Sequence, residues 1–172
     1  GQIGSAINEV LDPLEMEVFN TDKEELDITD TDEVLNFGVI NRPDVIINCA
    51  AVTDTDLCEK EPELAYRVNA LGARNLSIVA RKTGAKMVQI STDDVFDGIR
   101  HTPYTEFDDT NPKTVYGRSK RAGENYVKEF THKHFILRSN WVYGNGNNFV
   151  NRVLHAADTK DELLIASDQF GS

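Results

Sequence analysis

Asp44-Val45-Ile46-Ile47-Asn48-Cys49-Ala50-Ala51 is the stretch on which the fold turns. Its unbroken run of β-branched aliphatic residues reads as a strand of the kind buried on both faces of a parallel sheet. The run ends in Ala50 and Ala51, small residues where a ligand could lie against the backbone, and Val52 and Thr53 continue into a loop. Downstream, residues 62–83 read as a long helix, with Pro62 near its first turn and Gly84 as its stop. Lys86-Met-Val-Gln-Ile-Ser91 reads as a second strand, and Thr92-Asp93 falls at its carboxyl edge, where ligands bind in open α/β sheets. A polar loop over 98–113 leads to a helix over 115–131, and residues 134–139 form the next strand. Upstream, Glu17-Val-Phe-Asn20 reads as a short strand. Leu26-Asp27-Ile28-Thr29-Asp30 leads into a helix over 31–39, capped by Thr or Asp. Strands alternating with helices imply right-handed crossovers and a doubly wound parallel sheet.

The chemistry concentrates in Tyr116-Gly-Arg-Ser-Lys120 and in Ser91-Thr92-Asp93. On a helix, positions four apart share a face, so the Tyr116 hydroxyl and the Lys120 ammonium project to the same side. A neighbouring cation favours the phenolate and would make Tyr116 a better proton donor and acceptor near neutral pH. Reduction of a carbonyl by hydride needs such a group, because the oxygen gains negative charge and must be protonated or held by donors. Thr92 could supply a second hydroxyl. Tyr-x-x-x-Lys alone arises readily by chance, and the order of the parts along the chain is what gives it weight.

Gly1-Gln-Ile-Gly4 opens a helix in which Ile3, Ile7, Val10 and Leu11 have helical spacing and Pro13 closes the run. A glycine-rich helix start suits a phosphate, which free amides and the helix dipole stabilise, although Gly-x-x-Gly also begins ordinary helices. Asp22 follows Gly4 at the distance where a dinucleotide fold places an acid on the ribose hydroxyls. Lys23 could instead accept a 2′-phosphate, so the choice between NADH and NADPH stays open, and a solvated turn would explain the pair equally well. No strand precedes Gly1, so the domain is expected to be incomplete at its start.

The 172 residues suffice for one domain with a sizeable core. A net charge of -11 argues against nucleic acid or an anionic membrane as the main partner. Cys49 and Cys58 are too few for a disulfide framework and lack zinc-site spacing, which fits a reducing cytoplasm. No apolar run reaches the length of a membrane span, and no signal leader opens the chain. No metal-ligating set is read from the sequence, and a divalent metal such as Mg is left open, as is a homodimer.

Taken together, the pieces resemble the dTDP-4-dehydrorhamnose reductase family of the extended short-chain dehydrogenase/reductase superfamily. They are Gly1-Gln-Ile-Gly4, Leu26-Asp-Ile-Thr-Asp30, Ile47-Asn-Cys-Ala-Ala51, Val68-Asn-Ala70, Ile90-Ser-Thr-Asp93, Val95-Phe-Asp-Gly98, Tyr116 to Lys120, Asn140-Trp-Val-Tyr-Gly144, Asn147-Asn-Phe149 and Asp168-Gln-Phe-Gly171. The resemblance implies a Rossmann-like NAD(P)-binding domain over 1–172, without the first strand and the C-terminal substrate domain. It implies NAD(P)H-dependent reduction of the 4-keto group of dTDP-4-dehydro-6-deoxy-L-mannose to dTDP-L-rhamnose, with little activity for these residues alone. Tyr116 would be the catalytic acid, Lys120 its support and the holder of the nicotinamide ribose, and Thr92 the hydrogen-bonding partner of the sugar carbonyl. Asp93 and Trp141 would touch substrate. Gly1, Gln2, Ile3, Gly4, Asp22, Lys23, Asp27, Ile28, Ala50, Ala51, Val52, Thr53, Asn69 and Ile90 would line the dinucleotide. The chain departs from the family pattern at Asp94 and Val52, where aromatic residues are usual, and both positions bear on substrate fit.

Three other readings share some of these features. Nucleotide-sugar epimerases and dehydratases carry Tyr-x-x-x-Lys on the same sheet, but Ser91-Thr-Asp93 and Asn140-Trp-Val-Tyr143 favour the reductase. The methionine adenosyltransferase β-subunit is similar in fold and regulates without this turnover, but the loop over 53–59 resembles the reductase version more closely. A catalytically silent structural domain is the third.

Overall fold

The computed structural model describes residues 1–11, 15–146, 148–160 and 162–165. Pro13, Asn147 and the 168–171 motif lie outside them. The described residues fall into two compact units, one drawn from Gly1–Val18 and Ser139–Ser172, the other Phe19–Arg138.

The larger unit is built on a three-stranded sheet of order β1 (Val45–Asn48), β2 (Lys86–Thr92), β3 (His134–Ser139). β1 and β2 run parallel, with Ile46 opposite Met87 and Asn48 opposite Gln89. Three helices pack with it: α2 (Thr31–Asn41), α5 (Ala73–Thr83) and α6 (Val115–Phe130). Their shared core is Leu26, Val34, Ala73, Leu76, Val79, Ala80, Ala85, Met87 and Val127, with Ile46 and Ile136 reaching it from the outer strands.

The helix ends follow from identifiable side chains. Asp30 accepts from the amides of Asp32 and Glu33 and so caps α2, and Thr114 accepts from Gly117 and caps α6. Gly84, in the left-handed region at φ 79°, ends α5. The long helix read over 62–83 is present as α4 (Pro62–Tyr66), a π-helical stretch Arg67–Gly72, and α5.

Four readings need correction. Glu17-Val-Phe-Asn20 is not a strand; the segment is exposed and has no ladder partner among the described residues, and four extended residues do not hold strand geometry alone. β1 is shorter than its apolar run and ends at Asn48, because the Asn48 side chain accepts from the Ala50 amide and turns the chain out of the ladder. Nor is β1 buried on both sides: Val45 and Ile47 are exposed, as are Phe135 and Leu137 on β3, while their alternating neighbours face the helices. Finally, the loop after Val52 contains a helix, α3 (Thr55–Lys60), capped by Asp54, which accepts from the Leu57 amide.

In the smaller unit, α1 (Gln2–Leu11) has the amphipathic spacing read from Ile3, Ile7, Val10 and Leu11, and α7 (Phe149–Ala157) is capped by Asn148. α1 and residues 142–145 line a groove of about 520 Å³.

Candidate active site

The strand ends and the first turns of α6 meet at the carboxyl edge of β1 and β2. Thr92, the last residue of β2, accepts at its hydroxyl oxygen from the Asp94 amide (3.1 Å) and donates to the Asp93 carboxylate (3.2 Å), holding the short 3-10 turn Asp93–Val95. The Tyr116 phenol lies near enough to the Thr92 side chain for the two to interact electrostatically. The phenol ring packs against a second apolar cluster of Cys58, Ala65 and Val115, shared with Val52. Gly117 is what lets the start of α6 come this close, since a Cβ there would overlap the Asp94 carbonyl oxygen. Glu59 of α3 accepts from the Val115 amide at 2.7 Å and fixes the same helix start from the other side.

The electrostatics differ from the expectation of a lowered phenol. Burial pushes Tyr116 up to about 12, the nearby Thr92 side chain opposes this, and the carboxylates of Asp94 and Asp93 add to it. Lys120 sits one turn on, only 4 % exposed, and its ammonium donates to the Ile90 carbonyl at 2.7 Å. Burial brings it down to about 8, against the opposing pull of Glu124 and Cys49. Desolvation therefore dominates at Tyr116, where Lys120 is not among the groups that shift it, and the phenol is fully protonated at neutral pH. Such a group is a proton donor rather than a base. Partial desolvation also raises the Asp93 and Asp94 carboxyls.

Lys120 is held through a network that spacing alone could not have shown. Glu124, four residues on and fully buried, accepts from Ser91 Oγ at 2.6 Å and takes a two-pronged ion pair from Arg138 of β3 at 2.9 and 2.7 Å. Beside it, Asn48 donates to Gln89 and Gln89 donates to the Ile90 carbonyl. Ile90, expected to line the dinucleotide, therefore uses its carbonyl to hold Lys120 and Gln89.

Asn69, also expected against the dinucleotide, is buried in the π-helical stretch with its amide committed. It accepts from the Val52 N–H and donates to the Val52 carbonyl and to Ser119 Oγ. Its role is to fix the 50–53 loop, whose Ala50 and Thr53 are exposed and whose Ala51 and Val52 are half-buried. Asn75, absent from the sequence reading, does the same for the other loop, donating to the Ile28 and Thr29 carbonyls. Asp27 accepts from the Thr29 amide, which holds its carboxyl below the usual range, and Ile28 packs over Gly72. Asp22 and Lys23 are exposed, and the Asp22 carboxylate accepts from the Glu24 and Glu25 amides in a turn.

The remaining expected residues belong to the smaller unit. Gln2, Ile3 and Gly4 form the start of α1 directly after Gly1, and the Gln2 amide nitrogen is enclosed without a hydrogen-bond partner among the described residues. Trp141 lies half-exposed in the loop after β3. No group of His, Cys, Asp or Glu able to hold a metal, and no helix long and apolar enough to cross a membrane, occurs among the described residues.

This geometry can be set beside known proteins. A family model described as the RmlD substrate binding domain matches residues 1–172. The spore coat polysaccharide biosynthesis protein SpsK of Bacillus subtilis is 42% identical over 100% of the chain and 61% of its own length. The crystal structure of a dTDP-4-dehydrorhamnose reductase from Clostridium acetobutylicum superposes with a TM-score of 0.96 at 47% identity, covering 98% of this chain and 60% of that one. The Bacillus anthracis dTDP-4-dehydrorhamnose reductase in complex with NADP gives 0.91 at 44%, covering 95% and 58%. The chain thus spans about three-fifths of the length of these relatives. The likeness establishes the Rossmann-like parallel-sheet fold.

Proposed function

The chain belongs to the dTDP-4-dehydrorhamnose reductase family, and from that premise we propose that it carries the dinucleotide-binding, proton-donating part of an NAD(P)H-dependent reductase. The reaction is reduction of the 4-keto group of dTDP-4-dehydro-6-deoxy-L-mannose to dTDP-L-rhamnose. The observation that carries this reading is the Tyr116 phenol packed at the start of α6 near Thr92, the last residue of β2, with the buried Lys120 one turn on.

The residues present fit a nicotinamide dinucleotide. Ala50, Ala51 and Thr53 offer an uncharged, partly exposed wall that Asn69 holds still. Asp22 and Lys23 are exposed and available to a ribose hydroxyl or a 2′-phosphate, so NADPH and NADH are both accommodated. Bound there, the dinucleotide supplies the hydride. Tyr116 then gives its proton to the carbonyl oxygen as negative charge develops, since an alkoxide is a stronger base than a phenolate. Lys120 lowers the cost of the phenolate left behind, and Thr92 keeps the hydroxyl aimed. Asp93 and Trp141 are assigned to the sugar, and Asp94 and Val52 to the part of the pocket where fit departs from the family.

The test is to incubate the full-length protein with NADPH and the keto-sugar nucleotide and follow NADPH oxidation together with product identity. Oxidation coupled to dTDP-L-rhamnose supports the reading. NADPH raising the melting temperature without turnover would overturn it in favour of a binding role.

A further inference from the structure

Glu124 is a fully buried carboxylate that the reaction as derived above does not use. A buried charge is costly unless it is paired and hydrogen-bonded, and this one is engaged from three elements at once. Ser91 of β2, the residue before Thr92, donates to Oε1; Arg138 of β3 donates to both carboxylate oxygens; and Lys128, one turn further along α6, lies 4.0 Å from Oε2. One turn in the other direction is Lys120, whose ammonium is tied to the Ile90 carbonyl, again on β2. The groups facing Lys120 are thus the Glu124 carboxylate on its own helix, the Cys49 thiol after β1, and the Ile90 carbonyl. Of these, the Glu124 carboxylate is the one that also pairs with a guanidinium, that of Arg138.

Resting on the proposed reductase activity, we propose that Glu124 is a positioning residue of the reduction. Its carboxylate pins α6 to β2 beside Thr92, so that Tyr116 and Thr92 keep their register, and it supplies the negative charge that Lys120 faces. An ion pair with Arg138 alone would serve stability; the Ser91 bond and the placement one turn from Lys120 tie the same carboxylate to both ends of the proton-donating pair. Lys120 comes down only to about 8 despite its burial, as expected if this anion offsets part of the desolvation.

The experiment uses the full-length protein and two readouts. The first is the pH profile of kcat. The second is independent of turnover: the pH dependence of unfolding free energy, compared with and without Lys120→Met, which reports the folded-state titration of Lys120. Glu124→Gln is expected to move both the alkaline limb of kcat and the Lys120 midpoint to lower pH by roughly one unit, and to lower kcat. A fall in kcat with limb and midpoint both unmoved would make Glu124 a structural ion pair only and overturn the proposal. So would an unchanged kcat and profile.

Should Glu124→Gln fail to melt cooperatively, Glu124→Asp decides, because it keeps the charge while shortening the reach to Ser91 and Arg138. Lowered kcat at the wild-type melting temperature supports the proposal, while wild-type kcat, or a kcat that falls only together with stability, overturns it. If the wild-type protein does not reduce the keto-sugar at all, the functional reading falls, while the Lys120 titration in Glu124→Gln still decides whether this carboxylate governs the lysine.

Discussion

Asn69 holds Val52 by both of its backbone polar atoms, accepting its N–H at 2.8 Å and donating to its carbonyl at 3.0 Å. The same amide donates to Ser119 Oγ, which donates on to the Tyr116 carbonyl. One buried side chain thus ties the loop after β1 to the helix turn that carries the phenol. Asn69→Ala would leave the Val52 groups unsatisfied, at about 1–3 kcal/mol. The expected result is a lower melting temperature together with weaker NADPH binding in a fluorescence titration. Loss of stability with unchanged affinity would separate the loop from the cofactor.

Tyr116→Phe removes the hydroxyl and keeps the ring that packs on Cys58, Ala65 and Val115. The rate of carbonyl reduction in the full-length protein should fall by orders of magnitude, roughly the 10²–10⁴ that positioned acid catalysis contributes, with NADPH affinity nearly intact. Normal turnover would show that another group delivers the proton.

Much of this arrangement was legible because period and punctuation speak locally. Val115 to Phe130 reads as a helix from its spacing and places Tyr116 and Lys120 one turn apart, and β2 announces Thr92 at its end. What spacing cannot carry is the competition between desolvation and charge. Tyr116 was expected to be lowered by Lys120 and is instead raised, because burial among Cys58, Ala65 and Val115 is a tertiary fact. Glu124 carries no signal in the sequence, because its partners Ser91 and Arg138 lie 33 and 14 residues away. Asn75 was equally silent, although Asp54 before Thr55-Asp56 was a cap signal from which α3 could have been read.

Lys120 and Tyr116 make opposite contributions to stability with pH. Lys120 titrates at about 8 in the folded protein and at its ordinary 10.5 when unfolded. Between those values the unfolded chain binds more protons, so stability rises with pH. Tyr116 is moved up from 10.0 to about 12, so above pH 10 the unfolded chain loses the proton first and stability falls. Lys120→Met should remove the rise, a difference on the order of 3 kcal/mol across the window, read from denaturant melts at stepped pH. Parallel curves for wild type and variant would mean that Lys120 is not desolvated as described.

In the proposed function, cofactor choice is assigned to Asp22 and Lys23, adjacent and exposed at the start of a turn. The acid favours a free 2′-hydroxyl and the cation tolerates a phosphate, so discrimination between NADH and NADPH should be weak. Lys23→Ala should shift the ratio of kcat/KM towards NADH by several-fold. An unchanged ratio removes Lys23 from cofactor recognition.

Two glycines test whether close packing, rather than backbone freedom, sets the site. Gly123 lies on the face of α6 against the π-helical stretch, where a Cβ would overlap the Asn69 carbonyl oxygen and touch Ala73 Cβ at 3.4 Å. Helix propensity alone would reward Gly123→Ala by about 1 kcal/mol. The overlap is with backbone, which cannot swing aside, and overpacking of this kind typically costs about 1–3 kcal/mol or more. Destabilisation should therefore win, and because Asn69 must move, NADPH affinity and kcat should fall with it. Gly84 is the contrast: it sits at φ 79° with open space around its Cβ position. Gly84→Ala should cost about 1 kcal/mol of backbone strain with kcat unchanged. Thermal melts and steady-state kinetics on both variants separate the cases. A Gly123→Ala protein more stable than wild type, with full activity, would show that α6 and Asn69 are not in the contact from which the positioning of Tyr116 has been argued.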